Sequence, residues 1–141
     1  MINIFNIISI SLYFIVGTIS LLMAYKALSS NKLLSFHEQA TGRWWNEIDR
    51  RLQHVMLALL KISGLGFLAV ALLLLTFPIA NYFYKNIFIT ISVPIIAITF
   101  CFGLFLFNYS LYKKTNANTP WKRSLIIIVV LIVSFILSVI P

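Results

Sequence analysis

Thr41-Gly42-Arg43-Trp44-Trp45-Asn46-Glu47-Ile48-Asp49-Arg50-Arg51-Leu52-Gln53-His54 runs straight into an apolar stretch that closes at Thr76-Phe77-Pro78. A charged segment here becomes a hydrocarbon span. All three carboxylates of the chain, Glu38, Glu47 and Asp49, lie in this stretch or just before it, as do both histidines, His37 and His54. Two of the three tryptophans, Trp44 and Trp45, are here too. Lys61 is the one charge set inside an apolar run, so this passage concentrates whatever chemistry the chain carries.

The composition names the solvent. The 141 residues are 61% hydrophobic and 10% charged, with mean hydropathy +0.99. A soluble domain is roughly half apolar and about a quarter charged. Water would not tolerate so much apolar surface, whereas lipid accepts it. The net charge of +8 on a soluble chain would suggest nucleic acid. Here the basic residues flank spans, where orientation and anionic headgroups account for them, and no nucleic-acid partner is expected. Cys101 is the only cysteine, so neither an intrachain disulfide nor a paired-thiol relay can form. The N-terminal apolar run lacks a basic n-region and a small-residue cleavage pattern, and reads as a retained first span.

Four spans are expected, at residues 2–25, 55–77, 87–107 and 124–140, in one membrane domain covering 1–141. In the first, Asn6, Ser9, Tyr13, Gly17 and Ser20 are spaced 3, 4, 4 and 3. They share one helical face, the arrangement membrane helices use to approach closely. The connection 26–53 contains Ser35-Phe36-His37-Glu38, whose spacing suits a capping box at a helix start. Gly42 then bends or restarts the helix, and Trp44 and Trp45 suit the headgroup layer. Pro78 is expected to stop the second span, and Pro94 to kink the third near its centre. On that third span Thr90, Pro94, Ala97, Cys101 and Asn108 share a face. Turn chemistry in Asn116-Ala117-Asn118-Thr119-Pro120 precedes Trp121-Lys122-Arg123, which anchors the fourth.

The connections at 26–53 and 108–123 carry nine basic residues, against Lys85 alone on the other side. The positive-inside rule therefore puts both connections in the cytoplasm and both termini outside, in a plasma (inner) membrane.

Glu47, Arg50, His54, Ala58 and Lys61 are spaced 3, 4, 4 and 3. On a continuous helix they form a polar stripe leading into the bilayer. An embedded ionisable residue is a functional candidate because charge costs about 2.5–3.5 kcal/mol at a span's centre on insertion scales. Lys61 lies only about 10 Å beyond His54, however. Its stem can carry the ammonium to the interface, or Asn108 or Ser20 can meet it. Arg43, Trp44, Trp45, Arg51, Trp121, Lys122 and Arg123 are the expected headgroup contacts. Proton-coupled export needs a carboxylate within a span, and none is present. No H-E-x-x-H, carboxylate cluster or cysteine pair suggests a metal, and no glycine-rich loop suggests a nucleotide. No cofactor is expected.

The expectation is an all-α integral membrane protein, a bundle of four transmembrane helices with an amphipathic interfacial segment before the second span. Its function is that of an accessory subunit or a scaffold contacting lipid or a partner. Its partners are membrane lipids, with anionic headgroups on the cytoplasmic side, and a second copy or another membrane protein. One alternative is an oligomeric channel or carrier for an anionic solute using Lys61. The other is a lipid-modifying enzyme using His37 and His54 with the nearby acids.

Overall fold

The computed structural model describes residues 4–140, so residues 2 and 3 of the expected first span lie outside the described part. Five α-helices and one 3-10 turn follow one another: α1 Ile4–Ser29, α2 Ser35–Thr41, the turn Trp45–Glu47, α3 Arg50–Phe83, α4 Ile87–Thr115 and α5 Trp121–Val139. Four of them, all but α2, are long and apolar enough to cross a membrane. The protein is a multi-pass membrane bundle. Helices are the form such segments must take, because hydrocarbon offers the backbone no outside hydrogen-bond partner.

The spans run up, down, up and down. Helix α1 lies along α3 and α5, α4 lies along α5, and the contact between α3 and α4 is the sparsest of the four. Every side of this ring is an antiparallel pair. Its centre is filled from all four spans by Tyr13, Val16, Val70, Leu74, Val93, Ala97, Cys101, Ile128 and Leu131. Most of each span faces outward with apolar side chains, among them Ile15, Leu22, Leu59, Ile62, Ile95 and Ile126. Water would not tolerate that surface, and acyl chains cover it at no cost.

The small-residue face of α1 turns inward. Ser9, Tyr13, Gly17 and Ser20 are buried on it, and Ser9 Oγ donates to the Ser134 carbonyl of α5 at 2.7 Å. A Cβ on Gly17 would come within 2.9 Å of Leu75 Cγ on α3, so the glycine sets how closely the two backbones approach. On α4, Pro94, Ala97 and Cys101 are buried.

Pro78 does not end its helix. Helix α3 passes through it to Phe83, and only residues 84–86 connect α3 to α4. Breaking the helix at Pro78 would strand several amides and carbonyls at the edge of the hydrocarbon, whereas continuing it costs the single bond proline cannot make. Asn81 closes the connection. Its Nδ2 donates to Thr90 Oγ1 at 3.0 Å, and its Oδ1 accepts from the Asn86 amide at 3.1 Å. With 34 residues, α3 is about 51 Å long at 1.5 Å per residue, well beyond the roughly 30 Å of hydrocarbon. Its first turns therefore project into the interface.

Candidate functional site

The end of the bundle holding the C-termini of α1 and α4 and the N-termini of α3 and α5 gathers most of the polar side chains. Leu33 and Ile48 are buried there, and they pin the segment between α1 and α3 to the bundle. Helix α2 does not start with the expected capping box. Its N-cap is Leu34, whose carbonyl accepts from the His37 amide at 2.8 Å, and no side chain caps it. Ser35 has already entered the helix, so its hydroxyl is past the position from which it could cap. Gly42 ends α2 at φ 64° with its amide on the Glu38 carbonyl. That left-handed conformation suits a residue without Cβ.

The capping chemistry sits further along. Trp44 N–H donates to the Glu47 carboxylate at 3.2 Å, and Glu47 N–H donates to the Trp44 carbonyl at 2.9 Å. Asp49 caps α3, accepting from Arg51 N–H at 3.1 Å. Gln53 Nε2 reaches back to the carbonyls of Trp45 and Ile48 at 2.7 and 3.0 Å. Two of the three carboxylates are thus engaged by backbone amides. Among the described residues no ion pair forms, not even between Glu47 and the neighbouring Arg50 or Arg51. At a helix start an amide accepted by a carboxylate satisfies an orphan donor, while an exposed ion pair is worth little.

This local folding cuts the stripe. Glu47 lies in the 3-10 turn, Ile48 is extended, and the helix begins only at Arg50. Arg50, His54 and Lys61 remain on the exposed side of α3. His54 Nδ1 is 2.6 Å from the Arg50 carbonyl. A carbonyl only accepts, so this bond requires the proton on Nδ1. Lys61 meets neither Asn108 nor Ser20; Ser20 is buried on the face of α1 turned toward its neighbours. Lys61 projects outward from α3.

The two histidines are not brought to one cleft. His37 is half-buried with its ring 3.9 Å from that of Phe36, and its Nδ1 is buried without a protein partner. Loss of water around the ring lowers its pKa. Among the described residues no three histidine, cysteine or carboxylate groups gather where one metal ion could bind them.

The opposite edge of this end is aromatic. Trp121 lies 5.5 Å from the ring of Tyr109, 5.8 Å from Tyr112 and 6.4 Å from Phe105. Lys122 Nζ stands 5.5 Å from the Trp121 ring centroid, within the range of cation–π attraction. The turn between α4 and α5 is held by Thr119 Oγ1 on the Asn108 carbonyl at 2.8 Å and by Asn118 N–H on Gln39 Oε1 of α2 at 3.3 Å.

Arg43, Trp44, Arg50, Arg51, Lys122 and Arg123 are exposed at this end, while Trp45 and Trp121 are half-buried. Lys113 and Lys114, in the last turn of α4, join the same exposed set. Gln53 was not legible as a clamp. Its one signal is an amide side chain placed one turn inside a long apolar helix. No protein-family model matches the chain, and neither a curated protein nor a solved structure matches it.

Proposed function

We propose that the protein is a small non-catalytic membrane scaffold or accessory subunit whose basic end holds anionic lipid headgroups. One observation supports this reading above the rest. Nine cationic side chains, Lys26, Lys32, Arg43, Arg50, Arg51, Lys113, Lys114, Lys122 and Arg123, are exposed at one end, and none is paired with a carboxylate among the described residues. Two of the three carboxylates, Glu47 and Asp49, are turned to backbone capping instead. Trp44 is 73% exposed beside them, a placement that suits the headgroup layer. By the positive-inside rule this end faces the cytoplasm of a plasma (inner) membrane, with both termini outside. The apolar flanks then offer their contact to a second copy or to a partner membrane protein.

The test is lipid retention by the full chain. Replacing Arg43, Arg50 and Arg51 together with Gln should reduce the anionic lipid carried through purification, as read by native mass spectrometry. The deficit should shrink as salt rises, since each basic residue near an anionic surface is worth about 1 kcal/mol and is screened within a Debye length. Unchanged retention with an unchanged salt response would leave these arginines a role in orientation alone.

A further inference from the structure

The end of the bundle opposite the basic residues contains a cavity of about 40 Å³ to which all four spans contribute. Tyr13 of α1, Pro78 and Asn81 of α3, Thr90 and Pro94 of α4, and Ser138 of α5 line it, with apolar side chains between them. Tyr13 is 6% exposed, and its phenol oxygen has no protein hydrogen-bond partner. The hydroxyls of Ser9 and Ser138 stand beside the phenol, each committing its own proton elsewhere. Ser9 Oγ donates to the Ser134 carbonyl, and Ser138 Oγ donates to the Phe135 carbonyl at 2.7 Å. Two prolines on facing helices add to the imbalance. Neither Pro78 nor Pro94 has an N–H, so the carbonyls four residues earlier, those of Leu74 and Thr90, lack their usual helical donor.

We propose that this cavity is a built hydration site, in which a small cluster of water molecules joins the Tyr13 phenol to Ser138, Asn81 and the Thr90 carbonyl freed by Pro94. The volume suits it, since about 10–15 Å³ is enough to hold a water. The chemistry suits it as well. Tyr13 O–H and the second amide proton of Asn81 are donors, while Ser138 Oγ and the Thr90 carbonyl are acceptors, so the ligand must both donate and accept. No charged side chain lines the cavity, and an ion would lack a counter-charge in a low-dielectric setting. Inside a membrane, ordered water is one of the few groups able to satisfy backbone freed by proline. The cluster accounts for the carbonyl freed by Pro94 where α3 and α4 touch least, and it ties the four spans together at this end.

Water-edited solid-state NMR on the full chain in lipid bilayers, with ¹³C-labelled tyrosine, proline, valine and leucine, reads the site directly. Water polarisation should reach Tyr13 and Pro94 at mixing times too short for Val16 and Leu131, which line the dry centre. Tyr13→Phe should slow the transfer to Pro94 and leave Tm unchanged or lowered. Transfer to Tyr13 in the unaltered protein as slow as to Leu131 would overturn the proposal. A Tm raised by Tyr13→Phe would also overturn it, because removing a dry, unpartnered hydroxyl relieves a cost that a hydrated one does not carry.

Discussion

His37 shows what a single half-buried ring contributes on the interfacial side. Burial holds its pKa below the ordinary 6.5, so between the two values the unfolded chain binds more protons than the folded one. Its share of stability is therefore full above about pH 6.5 and is lost as pH falls through the folded value. Thermal unfolding of the purified protein from about pH 8 to about pH 5 should show this loss, and His37→Gln should abolish that component. Parallel profiles for the two proteins would remove His37 from the account. Lys61 poses the second residue question. An ammonium that projects outward and reaches the interface along its stem makes no demand on shape. Lys61→Met should then insert with equal or raised Tm, and Lys61→Arg should be tolerated. If an added anion such as inorganic phosphate raises the Tm of the unaltered protein but of neither variant, Lys61 is instead part of an anion site.

Among the elements, the α1–α3 seam is the most extensive contact between two spans. Gly17→Ala places a methyl 2.9 Å from Leu75 Cγ and 3.3 Å from Leu74 Cβ. Part of that strain sits on a branch carbon rather than at a flexible tip, so overpacking should cost about 1–3 kcal/mol. Gly103 supplies the control, since nothing lies within 4 Å of where its Cβ would stand. Gly103→Ala should be neutral or stabilising by up to about 1 kcal/mol through helix propensity. Thermal or denaturant unfolding in detergent compares the two directly. Equal effects would mean that the Gly17 seam relaxes freely. The seam was foreseeable because small and hydroxyl residues recurred on one face. The passage of α3 through Pro78 was not. A proline signals a stop only where water can take over the broken bonds, and a lipid setting removes that choice.

At the scale of the whole molecule, the distribution of basic residues makes a topological prediction. In a Cys101→Ala background, a cysteine at Lys85 should react with an impermeant thiol reagent added to intact cells, and one at Asn118 should not. Both positions are exposed, and neither side chain holds a hydrogen bond that the turn depends on. Reaction at Asn118 and silence at Lys85 would invert the orientation and carry the headgroup site to the opposite face. The bundle itself leaves the α3–α4 side more open than the other three, and the proline-lined cavity lies on that side.

Composition and apolar run length were enough to determine the solvent and the number of spans, because the roughly 30 Å of hydrocarbon sets a length that a helix meets with about twenty apolar residues. The inward face of α1 was legible for a similar reason. Its period of 3.6 is a property of the helix alone, and with no competing charge only packing could use it. The basic end was legible as charge, but its availability was not. Whether Glu47 and Asp49 neutralise Arg50 and Arg51 or cap amides depends on a helix start that moved from the expected continuous stripe to Arg50. That boundary was settled by Ile48 burying itself and Gln53 reaching back to Trp45 and Ile48, contacts between residues up to eight apart. The cavity belonged entirely to the tertiary structure. Pro78 with Asn81 and Thr90 with Pro94 are each visible as neighbours in the chain, yet Tyr13 and Ser138 join them only because α1 and α5 close the ring. No local pattern encodes which span lies beside which.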